Sequence, residues 1–331
     1  MIKKKKTNEL IIGLLDKKGA MRVHDLALET GLSKQLLHRV LLQLIADGKI
    51  KRIGKAPKVF YSIEEERNLM VSEPEQISFT KSEFLEKHFL FIRETGERLN
   101  GLEGMKFWCI RQKLPLEKTI DEFIATRKKY LSYFNEHGLI SGMEKIKSTR
   151  GFSFIGADEI YYLDFYAIER FGKTKLGTLL HYAKQGQNKK LMAEICSEIQ
   201  PAIHQFIKRE KIDSVAYIPP TIKRELQFMK FLEKNLQLPS PHLKIVKVSG
   251  EIVVPQKALS KIEDRIANAK SSLFPVENGH YKNILLIDDA IGSGASMNET
   301  AVKFKEKNPK AKITALAITG SFKGFEVINE I

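Results

Sequence analysis

The sequence holds only two cysteines, Cys109 and Cys196, far apart and outside any paired ligand spacing. That excludes a disulfide framework and a structural zinc site, and it points to a reducing compartment, with the cytoplasm as the expected location. No stretch approaches the roughly 20 apolar residues that a membrane span needs, so no membrane partner is expected. Lys3 to Lys6 followed by Leu10 to Leu15 faintly resembles a secretory leader. The apolar run is short, broken by Gly13 and without a small-residue cleavage site, and it reads as a helix. Acidic residues are the scarcer charge: 40 Asp and Glu against 55 Lys and Arg give a formal net charge of +15. A surplus of that sign favours a polyanionic partner, because clustered cations gain by releasing counterions from nucleic acid. There is no internal repeat and no low-complexity tract. With 43 % hydrophobic and 29 % charged residues over 331 positions, the chain reads as globular and multidomain.

Residues 1–70 carry three helical patterns followed by two short strands. Leu10, Ile11, Leu14 and Leu15 recur at helical spacing, Gly19 breaks the pattern, and Val23 to Glu29 forms a short second helix ending at Gly31. Ser33 suits the N-cap of a third helix, whose apolar stripe is Leu36, Leu37, Val40, Leu41, Leu44 and Ile45. Strands at Lys49 to Ile53 and Lys58 to Ile63 flank the turn Gly54-Lys55-Ala56-Pro57. This order looks like a winged helix-turn-helix (α+β). Residues 1–60 hold fourteen Lys or Arg against five Asp or Glu. Double-stranded DNA is the expected partner, with Lys34, Gln35, His38 and Arg39 of the third helix facing a groove, and Lys55 and Lys58 of the wing, together with a Lys3 to Lys6 arm, on phosphates.

Residues 71–150 read as a helical middle region with no chemical motif, a spacer or a dimerisation element; a homodimer is left open. From residue 151 to 331, β-rich segments alternate with helical ones, the pattern of an α/β domain with a mostly parallel sheet. Ile160 to Ile168 is strand-like, and Val215 to Ile218, Ile245 to Val248, Ile284 to Ile287 and Ile313 to Ile318 suit buried parallel strands.

The run Asn283 to Ile287 ends in Asp288-Asp289 and enters Ala290-Ile291-Gly292-Ser293-Gly294-Ala295-Ser296 before a helix from about Met297. Ligands of open α/β sheets gather outside the carboxyl ends of strands, where this loop falls. Glycines let the backbone curl around a phosphate, Ser293 and Ser296 add hydroxyl donors, and the helix N-terminus adds partial positive charge. Two adjacent carboxylates repel an anion in the same place, so they belong beside it, on ribose hydroxyls or on magnesium held through water. A Walker loop is excluded by the lack of Lys before the Ser, and a dinucleotide fingerprint by Met297 in place of its third glycine.

Asp288 to Ser296 resembles the phosphoribosyl-pyrophosphate motif of type I phosphoribosyltransferases. Gln256, Leu259, Ser260, Arg265, Asn268 and Phe274 match in order the stretch before that motif in the ComF family, and Leu176 to Gly186 resembles the start of that family's domain. The resemblance covers about Tyr161 to Ser321 and implies a type I phosphoribosyltransferase-like fold. It implies phosphoribosyl pyrophosphate or a related ribose phosphate as ligand and Mg2+ as its companion, with no metal site built from protein ligands alone. Asp288, Asp289 and Arg265 are the catalytic candidates, and Lys223 and Arg224 the pyrophosphate-binding candidates; Arg265 and Lys261 are placed to close over the ligand from a loop. Two departures stand out. The cysteine-rich module that usually opens ComF proteins is replaced here by the first 150 residues. The family's Arg-Gly-Phe-Asn run is replaced by Pro219 to Phe228, which keeps a basic pair and loses the glycine. Three functions stay open: a DNA-binding regulator that senses a ribose phosphate, an active phosphoribosyltransferase displacing pyrophosphate at the anomeric carbon, and a ComF-like accessory of DNA uptake or processing.

Overall fold

The structure, a computed structural model, describes residues 2–55, 57–63, 77–220, 224–248, 259, 261–276 and 279–321. It divides into two compact units, Met1–Gln76 with Glu94–Glu97, and Ile77–Arg93 with Arg98–Ile331.

In the first unit, α1 (Ile2–Lys18), α2 (Val23–Thr30) and α3 (Lys34–Ala46) precede β1 (Ile50–Lys55) and β2 (Lys58–Ile63), which pair antiparallel. The Ser33 hydroxyl accepts from the Leu36 amide at 3.3 Å and so caps α3 as its sequence position implies. Gly54 closes the hairpin at φ 86°, where a Cβ would collide with the Lys58 carbonyl. Ile11, Leu15, Leu26, Leu37, Val40, Leu41, Leu44, Ile50 and Tyr61 form its core. Met21 joins the hairpin edge through two hydrogen bonds with Tyr61 of 2.9 and 2.8 Å. One expectation changes: α1 begins at Ile2, so the backbone of Lys3 to Lys6 continues the helix and does not form a separate arm.

The second unit opens with α4 (Phe79–His88), the β3 (Leu90–Ile92) and β4 (Arg98–Asn100) hairpin, α5 (Gly101–Gln112) and α6 (Leu116–Leu131). Then come β5 (Ile140–Ser141), α7 (Met143–Ser148), β6 (Glu159–Phe165), α8 (Lys175–Gln185), α9 (Lys189–Glu210), β7 (Ser214–Tyr217) and α10 (Phe228–Asn235). The unit ends with β8 (His242–Leu243), β9 (Ile245–Lys247), α11 (Ile262–Ser272), β10 (Leu273–Pro275), β11 (Asn283–Ile291), α12 (Ala295–Lys307) and β12 (Lys312–Gly320).

Its six-stranded sheet has the order β5-β6-β12-β11-β7-β8 and is parallel except for β5. Alternation along β11 and β12 feeds two cores. Ile284, Leu286, Ala315 and Ala317 pack with α5, α6 and α12 residues, whereas Leu285, Ile287, Leu316 and Ile318 pack with α8, α9 and α10 residues. Burial on both faces explains why these strands read as unbroken apolar runs.

Three features differ from the sequence reading. From Ile77 onward the expected middle region shares its core with the sheet: Leu85, Phe89, Met105, Cys109, Ile120 and Phe123 cluster with Ile160, Tyr162 and Phe165. Each such side chain contributes roughly 1.5–3 kcal/mol on burial, so helices α4 to α6 form one layer of the α/β unit. Leu90 to Ile92, read as helical, is a strand because it pairs with Arg98–Asn100. The Ile245 run also leaves the main sheet. The chain from His242 pairs with β7 through β8, then crosses to an antiparallel ribbon with β10.

Candidate functional site

β7 runs beside β11 only as far as Tyr217, opposite Ile287, while β11 continues to Ile291 paired with β12. Asp288 to Ile291 therefore stand at an opening of the sheet's carboxyl edge, where β7 has ended in Pro219-Pro220. Gly292 and Ser293 follow, and Gly294, at φ 79°, is the N-cap of the thirteen-residue α12. The Ser293 hydroxyl accepts from the Ala295 amide at 3.4 Å. The first-turn amides of α12 have no acceptor within the helix and carry its positive end.

The helix start is pinned from below. Buried Asn298 accepts from the Gly156 amide at 3.0 Å and donates to the Phe154 carbonyl at 2.9 Å. Gly156 approaches so closely that a Cβ would collide with the backbone of Val302. A Cβ on Gly294 would strike the Ile146 side chain of α7. The space beside Gly294 is thus filled by a side chain of α7.

Two lysines reach the acid pair: Lys184 pairs with Asp289, and both Lys184 and Lys247 act electrostatically on Asp288. Asp289 accepts from Lys184 of α8 at 2.5 Å. Asp288 accepts from the Asp289 amide at 2.7 Å and interacts electrostatically with Lys247 of β9. Crowding by protein atoms raises the Asp288 carboxyl well above the usual carboxylate range, the charge on Asp289 reinforces this, and the Asp289 amide, Lys184 and Lys247 oppose it. Burial lowers Lys247. The sequence reading missed both lysines. Lys184 lies in the Leu176 to Gly186 segment, and its position before a helix-ending glycine was the available signal; Lys247 had none.

Arg224 reaches the same helix end: its guanidinium donates to the Lys184 carbonyl and, at 3.0 Å, to the Gln185 side chain. It thus sits next to the residue that pairs with Asp289. Arg265 donates through Nε to the Leu259 carbonyl at 2.7 Å, which fixes the approach to α11. Lys261 is the N-cap residue of α11. Lys223, Gln256, Ser260 and the side chain of Lys55 lie outside the described residues. Lys34, Gln35, His38 and Arg39 line the exposed side of α3, and Lys58 is exposed on β2.

Among the described residues no group of three or more His, Cys, Asp or Glu is placed to hold a metal ion, and no helix is long and apolar enough to cross a membrane. Magnesium keeps much of its shell as water and ligand oxygens. Asp288 and Asp289, adjacent on β11, are the carboxylates whose chemistry would fit such an ion.

No family model and no curated protein matches the chain. Among solved structures it is similar to a hypoxanthine phosphoribosyltransferase from Staphylococcus aureus, at 15 % identity and a TM-score of 0.22, over 40 % of this chain and 63 % of that one. The match spans less than two thirds of that enzyme's length.

Proposed function

We propose that the chain binds phosphoribosyl pyrophosphate, or a related ribose phosphate, at the β11–α12 junction, and that its first unit is a winged helix that contacts duplex DNA. The observation that carries the ligand reading is the junction itself: Asp288 and Asp289 at an open strand end, followed by a Gly-Ser-Gly turn with a left-handed Gly294 at the start of a long helix. The amides and hydroxyls of 292–296 receive the 5'-phosphate, and the carboxylates lie beside it and accept from the ribose hydroxyls. Magnesium, when bound with the pyrophosphate, neutralises the charge that develops on that group. Asp288 and Asp289 would hold it, directly or through water.

The leading reading is a regulator in which the ribose phosphate is an effector. Three helices, a hairpin, and an exposed α3 face bearing Lys34, Gln35, His38 and Arg39 support the DNA part. A phosphoribosyltransferase is the second reading. It is favoured by the lysines at the acid pair, which suit a departing pyrophosphate, with Arg265, Lys223 and Arg224 as accessory cations.

One experiment separates them. Duplex DNA is titrated at several salt concentrations with and without saturating phosphoribosyl pyrophosphate and magnesium, while pyrophosphate release is assayed in the presence of candidate bases and amines. The regulator predicts a 5- to 150-fold change in DNA affinity, about 1–3 kcal/mol of coupling, with no release. Changing Lys55 and Lys58 together to Ala should reduce the log-log salt slope by roughly 0.9 per lost contact, whereas Arg39→Ala should relax sequence preference. Steady release with superimposable DNA curves identifies the enzyme. Failure to bind duplex at low salt removes the DNA role.

A further inference from the structure

The short helix α7 belongs to the segment before the first long strand of the sheet, far in sequence from the phosphate loop, yet it lies against that loop. Ile146 occupies the space beside Gly294 where a Cβ would otherwise stand. The neighbouring Lys145 donates from its ammonium to the carbonyl of Ser321. Ser321 is one residue past β12, whose last residue Gly320 is in register with Ile291. Lys145 therefore lies at the same carboxyl edge of the sheet as the start of the loop.

The position of α7 is fixed. β5 pairs with β6 at Tyr161 and Tyr162, the Gly142 amide donates to Ile160 at 2.8 Å, and the Thr149 hydroxyl donates to the Lys145 carbonyl at 2.7 Å. An ammonium has three donors and no acceptor, and a single carbonyl is the hydrogen-bond partner seen for it among the described residues. Burial lowers Lys145 to about 8, and no carboxylate acts on it in the described structure. A crowded cation held by a neutral carbonyl retains most of its desolvation cost, and an incoming anion offsets that cost.

We propose that Lys145 is a phosphate-binding residue, which contacts the 5'-phosphate seated on the Gly292 to Ser296 loop. The loop itself contains no cationic side chain, and α7 supplies one from a different part of the chain. The assignment rests on the ribose-phosphate reading above and adds to it a residue that no part of the loop's own sequence indicates.

The test is a calorimetric titration of the full chain with ribose 5-phosphate and, separately, with phosphoribosyl pyrophosphate and magnesium. Wild type is compared with Lys145→Gln, Lys145→Arg and, as a control on the same helix, Lys147→Gln at an exposed position. Lys145→Gln should weaken both ligands about tenfold, Lys145→Arg should recover most of the loss, and Lys147→Gln should leave both affinities unchanged. Equal binding by wild type and Lys145→Gln overturns the Lys145 assignment and leaves the loop site standing. A loss confined to phosphoribosyl pyrophosphate overturns contact with the 5'-phosphate. Binding of neither ligand by wild type, with a cooperative thermal melt showing it folded, overturns the assignment together with the site reading on which it rests.

Discussion

Asp289 of β11 and Lys184 of α8 form an ion pair of 2.5 Å at the carboxyl edge of the sheet. Its neighbour Asp288 interacts electrostatically with both Lys184 and Lys247, so the acid pair is flanked by two counter-charges on two different elements. Lys184 holds the Asp289 carboxylate in place beside the second acidic side chain through this charge-assisted hydrogen bond. Lys184→Met should therefore weaken magnesium-dependent binding of phosphoribosyl pyrophosphate by about tenfold, roughly 1.4 kcal/mol, with Lys184→Arg close to wild type. Calorimetry checks this. Tighter binding by Lys184→Met would mean that the ammonium competes with the ligand for the carboxylate.

Arg127 of α6 grips Asp164 of β6 through two bonds of 2.8 Å each, and both side chains are buried. Asp164 also accepts from the Phe165 amide at 2.8 Å. Removing one partner strands a buried charge, so Arg127→Met should destabilise the second unit by about 3–5 kcal/mol in urea unfolding. For the same reason, and because α4 to α6 share the sheet's core, a fragment spanning 151–331 should show no cooperative melt, whereas one starting at Ile77 should melt cooperatively.

His88 of α4 is held neutral to about pH 4, chiefly by burial and then by the positive charges of Arg127, Lys87 and Lys175. Its Nδ1 lies 3.5 Å from the Arg127 Nε as the acceptor of that donor. The unfolded chain takes up the proton near the ordinary histidine value of about 6.5, so between those limits the unfolded state binds more protons than the native one. Stability contributed by neutral His88 is complete above about pH 6.5 and is lost as pH falls toward 4, by at most about 1.4 kcal/mol per pH unit. His88→Gln should flatten the fall in melting temperature over that range. Parallel curves for the two proteins would assign the acid sensitivity elsewhere.

Much of this molecule is legible in the residues. Ser33, Gly31 and the Leu37, Val40, Leu41 and Leu44 stripe define α3 locally, because caps and helical periodicity are short-range signals. The strand before the turn is legible for a similar reason, since Ile284 to Ile287 is apolar on both faces, but β11 runs past the two acidic residues to Ile291 because Ala290 and Ile291 pair with β12. What escaped depends on contacts between distant segments. Cys109, Phe123 and Ile120 look like the core of a separate bundle until they are seen against Ile160 and Phe165. Leu90 to Ile92 has helical spacing and becomes a strand only because Arg98 to Asn100 pairs with it. Ile245 to Lys247 is as apolar as a central strand, but Leu273 to Pro275 claims its edge. Lys184, Lys247 and Lys145 are ordinary lysines in sequence, and their proximity to the loop or the acid pair comes from tertiary folding.

The central claim is that the β11–α12 junction binds a ribose phosphate through its acid pair and glycine loop. Calorimetric titration of phosphoribosyl pyrophosphate with magnesium into the full chain, before and after Asp288 and Asp289 are both changed to Asn, tests it most directly. The pair is nearly isosteric with Asn and half-buried at the strand end, so the fold should survive, as an unchanged far-ultraviolet spectrum would verify. The account predicts saturable binding by the wild type and a loss of at least about a hundredfold, roughly 2.8 kcal/mol, in the double variant. Equal binding by the two proteins, or none by the folded wild type, would contradict it.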